Sequence, residues 1–214
     1  MEDIIESIIQ MEWEFFGKVE NEGGRASCQD DWNTFSKMRR SQYMAWPEPL
    51  LESWKSDLVR ANEEGRNPLT EKYGYMMCIS DPEANKETAR RLPPVPPEKR
   101  EAARRIVDRL IRQNETFRAK YPRVSGRGRP LKTSEEPAAG WTSIETYELG
   151  ELWTYSQKTL ELFDANRDTY EKEGKSYPET VVEYGLRLRG FNSLEEVEEF
   201  LAKQVGIAAS PLKA

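Results

Sequence analysis

Thr142-Ser143-Ile144-Glu145-Thr146-Tyr147-Glu148-Leu149-Gly150-Glu151-Leu152-Trp153-Thr154-Tyr155, carried on to Phe163, reads as a helix that is apolar on two sides. At ~100° per residue, Ile144, Tyr147, Glu151, Tyr155 and Leu162 fall in one narrow sector. Leu149, Leu152, Leu160 and Phe163 fall in another. A helix with two apolar faces belongs at the centre of a helical domain, which places Glu151 among buried aromatic rings. A carboxylate there must meet a cation or take up a proton.

The rest of the chain reads outward from that centre as further helices. Residues 3–20 carry Ile4, Ile5, Ile8, Met11, Phe15, Phe16 and Val19 at helical spacing. A second helix starts near Asp30 or Asp31 and runs to about Met44, where Trp46-Pro47-Glu48-Pro49 stops it. A third covers roughly 49–63, and Asn67-Pro68 opens a fourth through about Cys78. Pro93-Pro94-Val95-Pro96-Pro97 launches a long helix to about Ala119, and 142–166 forms the central one. Ser193-Leu194-Glu195-Glu196 is a capping box, followed by an apolar stripe of Leu194, Val197, Phe200, Leu201 and Val205. The expectation is an all-α, single irregular helical domain of about six to eight helices with a long Gly/Pro-rich loop at 121–141. Residues 1–175 form its main part, and 176–214 a C-terminal helical hairpin packed on it.

Composition narrows the chemistry. Among 214 residues there is no histidine, and the two cysteines, Cys28 and Cys78, have no close partners in sequence. That excludes the Ser-His-Asp triad, the Cys-His dyad, His-ligated haem and His-containing zinc or iron sites. Neither a Gly-x-Gly-x-x-Gly fingerprint nor a P-loop is present, so a lyase, isomerase or hydrolase fits better than a redox enzyme. The acidic start, Met1-Glu2-Asp3, is unlike a secretory signal, and no apolar run reaches the ~20 residues of a membrane helix. We expect a cytoplasmic protein with no membrane partner.

Three places carry candidate chemistry. On the second helix, Arg39 shares a sector with Trp32, Phe35, Tyr43 and Trp46. A guanidinium cannot readily shed its charge, so Arg39 needs an anion. One reading pairs Arg39 with Glu151 as a structural ion pair. The other makes them the floor of a polar pocket, with Glu151 as acid or base, Tyr147 or Tyr155 beside it, and Arg39 and Gln42 on the substrate.

The connection between the first two helices packs Arg25, Cys28, Gln29 and Asp30 behind Gly23-Gly24, which permit close approach of backbone to ligand. Cys28 precedes a helix start, where a thiol can ionise more readily, and Asp30 is the nearest base for it. The plain alternative is a loop that caps the helix. Arg118, Lys120, Arg123, Arg127, Arg129 and Lys132 then form a basic run without an intervening acid. Gly126-Arg127-Gly128-Arg129-Pro130 matches the core of an AT-hook, which lays arginines into the minor groove. A net charge of −6 argues against nucleic acid, and Arg127 and Arg129 are better read as a bidentate clamp for carboxylate or phosphate.

The block Asn21-Glu22-Gly23-Gly24-Arg25-Ala26-Ser27-Cys28-Gln29-Asp30-Asp31-Trp32, with Arg40-Ser41-Gln42 and Ala45-Trp46, resembles an uncharacterised bacterial family, domain of unknown function 4125. Thr70-Glu71-Lys72-Tyr73 with Met76-Met77, Arg127-Gly128-Arg129-Pro130, and Glu145-Thr146-Tyr147 with Gly150-Glu151-Leu152 and Thr154-Tyr155-Ser156 follow in the same order. The resemblance spans about residues 10–160. It implies that the Arg-Gly-Arg-Pro segment belongs to a folded domain, and it implies no activity.

Two functions follow as expectations. In the first, the protein is an enzyme acting on a small anionic or zwitterionic metabolite by acid–base chemistry. Arg25, Gln29, Arg39, Gln42, Arg127 and Arg129 would hold the substrate, and Glu151, Tyr155, Tyr147, Cys28 and Asp30 would supply the chemistry. In the second it is a non-catalytic module that holds an anion, or a partner protein through Tyr184, Leu186, Leu188, Phe191 and Leu194. No cofactor is expected; a carboxylate site for Mg²⁺ or Mn²⁺ would draw on Asp30, Asp31, Glu148 or Glu151. A homodimer through the C-terminal helices is the expected assembly, if any.

Overall fold

The computed structural model describes residues 1–20, 23–126 and 128–208, with backbone only for 205–208. The fold is all-α, and no strand occurs among the described residues. The helices are α1 (Glu2–Gly17), α2 (Trp32–Tyr43), α3 (Glu48–Glu63), α4 (Pro68–Ser80), α5 (Lys86–Arg91), α6 (Pro97–Lys120), α7 (Pro122–Ser125), α8 (Glu136–Ala139), α9 (Ile144–Leu152), α10 (Gln157–Lys172), α11 (Tyr177–Arg187) and α12 (Leu194–Ala208). Short 3₁₀ turns cover Ser27–Asp30 and Thr133–Glu135.

The helix starts follow from side chains that satisfy otherwise unpaired backbone N–H groups. Asp31 Oδ1 accepts from Thr34 N at 3.0 Å, and Asn67 Oδ1 accepts from Leu69 N and Thr70 N, with Pro68 opening α4. Ser143 Oγ caps α9 through Thr146 N at 3.0 Å, and Ser156 Oγ caps α10 through Thr159 N at 3.2 Å. Ser193 Oγ accepts from Glu196 N at 3.1 Å, as a capping box requires, while the Glu196 carboxylate reaches back to Asn192 N.

The helices outnumber the six to eight expected, for two reasons. The 121–141 loop folds into the single turns α7 and α8. The 142–166 stretch breaks at Trp153–Ser156 into α9 and α10, because Ser156 starts a new helix with its own cap. Carbonyls freed at the break are met by the Lys99 ammonium, which reaches from α6 to Trp153 O at 2.7 Å and to Tyr155 O. Burial pulls the Lys99 amine down to about 8.

One core binds most of these pieces. Ile5, Ile8 and Ile9 of α1, Leu50, Leu51, Trp54 and Leu58 of α3, Ile106 and Val107 of α6, Leu149 and Leu152 of α9, and Phe163 of α10 belong to one buried cluster. Helix α9 packs on α4 and α6, α1 on α2, α3 and α4, and α11 on α2 and α6. Tyr177 of α11 belongs to that cluster, whereas Leu194 of α12 joins a smaller one with Phe117 and Tyr121. The side chain of Val205, which completes the expected α12 stripe, lies outside the described residues. Among the described residues no helix is long and apolar enough to cross a membrane.

Candidate functional site

Four charged side chains meet where α1, α2, α4 and α9 converge. Glu12, Arg39, Glu151 and Lys72 are respectively 0%, 7%, 4% and 6% exposed. Arg39 Nε donates to Glu12 Oε2 at 2.6 Å, and its Nη2 donates to Glu12 Oε1 and to the Tyr43 hydroxyl. Arg39 Nη1 meets Glu151 Oε1 at 3.1 Å, and Lys72 Nζ meets Glu151 Oε2 at 2.5 Å. The signs alternate along this line, so burial leaves no net charge. Neutral donors complete it: Tyr43 OH to Glu12 Oε1 at 2.5 Å, Trp54 Nε1 to the same oxygen at 3.0 Å, and Gln42 Nε2 and Tyr155 OH to Glu151 Oε1, each at 3.2 Å.

The pairing decides the protonation states. Burial works to raise the Glu151 carboxyl, but the Arg39 and Lys72 charges outweigh it and hold the group well below the usual carboxylate range. Burial likewise pulls the Lys72 ammonium down, and Glu151 and Tyr147 more than restore it. Tyr155 is driven well above the usual phenol value by burial and by the Glu151 charge. Glu148, one turn before Glu151 on α9, goes the other way. Burial and the neighbouring Glu151 charge push it up to about 7.

Above this network lies a cavity of about 210 Å³. Phe16, Phe35, Trp54 and Leu69 give it apolar walls, while Arg39, Lys72, Arg129 and Glu151 line it with charge. Lys72 Nζ stands 3.4 Å from the centroid of the Tyr147 ring, and the Arg129 guanidinium carbon stands 5.1 Å from the same ring. Arg129 spends one N–H on Thr142 O, at 3.1 Å, and has no carboxylate partner among the described residues. The hydroxyls of Tyr73 and Tyr147, whose rings also line the cavity, have no hydrogen-bond partner among the described residues.

Several of the residues singled out from sequence come together here and several do not. Glu151, Arg39, Gln42 and Tyr155 share the buried network, Tyr147 and Arg129 line the cavity, and Cys28 stands exposed on its wall. Two cations keep Glu151 ionised, so it holds no proton to donate at neutral pH. Arg25 and Asp30 pair with each other at the surface, at 2.9 Å, and Arg25 also donates to Gly17 O and Gln29 O. Arg25, held by Asp30, thereby latches the end of α1. Gln29 is buried in the same latch, donating to Phe16 O and Val19 O. Arg127 lies outside the described residues, as do Asn21 and Glu22.

The carboxylates named for a divalent cation are not drawn together. Asp30 holds Arg25, Asp31 caps α2, and Glu151 holds Arg39 and Lys72. Among the described residues no three His, Cys, Asp or Glu side chains group in a way that could hold a metal ion.

Glu12, Lys72 and Tyr73 belong to the network or the cavity wall and were not singled out from sequence. Glu12 stands between Ile8 and Phe15-Phe16 on the α1 stripe, and Lys72 between Leu69 and Tyr75-Met76 on α4. Both are charges inside an apolar stripe, the same signal that marked Arg39. No curated protein and no solved structure matches the chain. A family model matches it over residues 2–199, reaching well past the stretch that carries the sequence motifs. The chain therefore belongs to the family described as Protein of unknown function (DUF4125).

Proposed function

We propose that this protein binds a small organic anion in the cavity between α1, α2, α4 and α9 and acts on it by acid–base chemistry. The observation that carries the reading is Arg129. It is a half-buried guanidinium on the cavity wall, stacked over Tyr147 and Trp141, with its Nε and Nη2 groups unengaged among the described residues. Such a fork suits a carboxylate or phosphate. Lys72 adds a second positive charge, and the aromatic walls suit an apolar body. A ~150 Å³ apolar cavity takes benzene, so about 210 Å³ suits a compact acid of that order.

The proton-exchanging role moves in this reading from Glu151 to Glu148, because a useful acid or base titrates near the working pH. Glu148 lines an adjoining cavity that shares Met38, Arg129 and Tyr147 with the first, and it is pushed up to about 7. The locked state of Glu151 also favours a second reading, a non-catalytic anion-binding module. DNA binding is disfavoured by Arg129, which turns inward onto Tyr147 and Thr142 O rather than outward as a hook arginine would.

The test is calorimetric titration with benzoate and with inorganic phosphate. Benzoate should bind, and Arg129→Met should weaken it at least tenfold while leaving the melting temperature nearly unchanged, since Arg129 has no ion-pair partner to lose. Undiminished benzoate binding in Arg129→Met, or none in the wild type, overturns the reading. Turnover of a bound acid with a pH midpoint near 7, lost in Glu148→Gln, would separate the enzyme from the module.

A further inference from the structure

A second cavity, of about 410 Å³, shares Met38, Arg129 and Tyr147 with the first. Its other walls come from Leu110 and Asn114 of α6, Ile144 and Glu148 of α9, and Tyr177 and Val181 of α11, with Gln42 of α2 beside them. Among its described lining residues two are charged, Glu148 and Arg129, and they are opposite in sign. They form no ion pair with each other, and the Glu148 carboxylate has no hydrogen-bond or ion-pair partner among the described residues. A half-buried carboxylate with no cation within ion-pair distance among the described residues is costly, and so is unspent donor capacity on a half-buried guanidinium lining the same cavity.

We propose that this cavity binds a small α-amino acid, its ammonium on Glu148, its carboxylate on Arg129 and an apolar side chain against Ile144 and Val181. A zwitterion closes the open pair with one molecule. A simple amine would leave Arg129 unspent, and a simple acid would leave Glu148 unspent. The inference rests on Arg129 being the anion anchor and adds the class of ligand.

The pH dependence of binding follows from the groups around Glu148. The charges that face it are Glu151 on its own helix, Lys72 of α4, Arg39 of α2 and Arg167 of α10, with the phenols of Tyr155 and Tyr177. Helix α6 contributes Leu110 and Asn114, both uncharged. Burial and Glu151 leave the group at about 7. A bound ammonium favours the ionised carboxylate, so binding expels a proton from Glu148 and strengthens as pH rises from 6 to 8.

The experiment is calorimetric titration of the full chain with L-leucine, isoamylamine and 4-methylpentanoate at pH 6, 7 and 8, in two buffers of different ionisation enthalpy. L-Leucine should bind at least tenfold tighter than either truncated analogue, more tightly at pH 8 than at pH 6, with net proton release near pH 7. Glu148→Gln should weaken L-leucine at least tenfold and abolish the proton release. L-Leucine should also displace benzoate, since both draw on Arg129. The proposal is overturned if L-leucine binds no better than its analogues, or equally well to Glu148→Gln. Benzoate binding that depends on Arg129 would survive that result, so failure here is distinct from failure of the anion reading. The wild-type ligand series decides the matter even if Glu148→Gln folds poorly.

Discussion

Arg39 holds two carboxylates at once, Glu12 through Nε and Nη2 and Glu151 through Nη1. Removing one partner of such a buried pair strands charge in a medium that solvates it poorly. Glu12→Ala strands the Arg39 fork and also leaves Tyr43 OH and Trp54 Nε1 without their shared acceptor. The expected loss is about 3–5 kcal/mol, read as a fall in the urea midpoint at pH 7. A loss below ~1 kcal/mol would mean that water or Glu151 takes over. At this scale the sequence was informative wherever a charge interrupted an apolar stripe, as at Arg39 and Glu151. The Arg39–Glu151 pair was legible as one of two readings, because each charge interrupts an apolar stripe, whereas Glu12, the other partner of Arg39, was not. The sequence also could not foretell that the Lys72 ammonium, rather than a proton, would complete Glu151.

The contact between α4 and α9 shows how an element can set the site. A Cβ added at Gly150 would lie 2.6 Å from Met76 Cγ and 3.0 Å from Lys72 O. The glycine thus lets α9 approach the α4 backbone closely, and that approach brings Lys72 Nζ to Glu151. Gly150→Ala should push the helices apart, costing about 1–3 kcal/mol by overpacking and weakening benzoate binding several-fold as Lys72 moves. A variant with wild-type melting temperature and affinity would show that Met76 alone gives way. Several element starts were legible, since Asp31, Asn67 and Ser193 are side-chain caps with recognisable neighbours. The break between α9 and α10 was not, because the apolar residues continue across it and Ser156 was read as part of the same helix. Tyr155 nevertheless reaches Glu151 from the turn, so the expected neighbourhood survives although the helical phase does not.

Across the whole molecule Glu148 and Glu151 of α9 pull stability in opposite directions with pH. Glu151 titrates lower in the folded chain than its ordinary 4.5, so its contribution is present above that value and is lost as pH falls through the folded one. Glu148 titrates higher when folded, at about 7 against 4.5, so stability is full below 4.5 and declines as pH rises through 7. Stability set by this pair should therefore peak near pH 4.5 and fall from there towards pH 7. Glu148→Gln removes only the second limb. It should raise stability relative to wild type at pH 8 by on the order of 2 kcal/mol, with little difference at pH 5, in paired urea titrations. A wild type equally stable at pH 5 and 8, with Glu148→Gln parallel to it, would place an unseen counter-charge on Glu148 and remove the ground for an ammonium there. The same comparison repeated with saturating L-leucine joins stability to ligand binding. The ligand's ammonium should restore most of what Glu148 costs at pH 8, so the wild type should gain more from L-leucine at pH 8 than at pH 5, and Glu148→Gln should gain little at either.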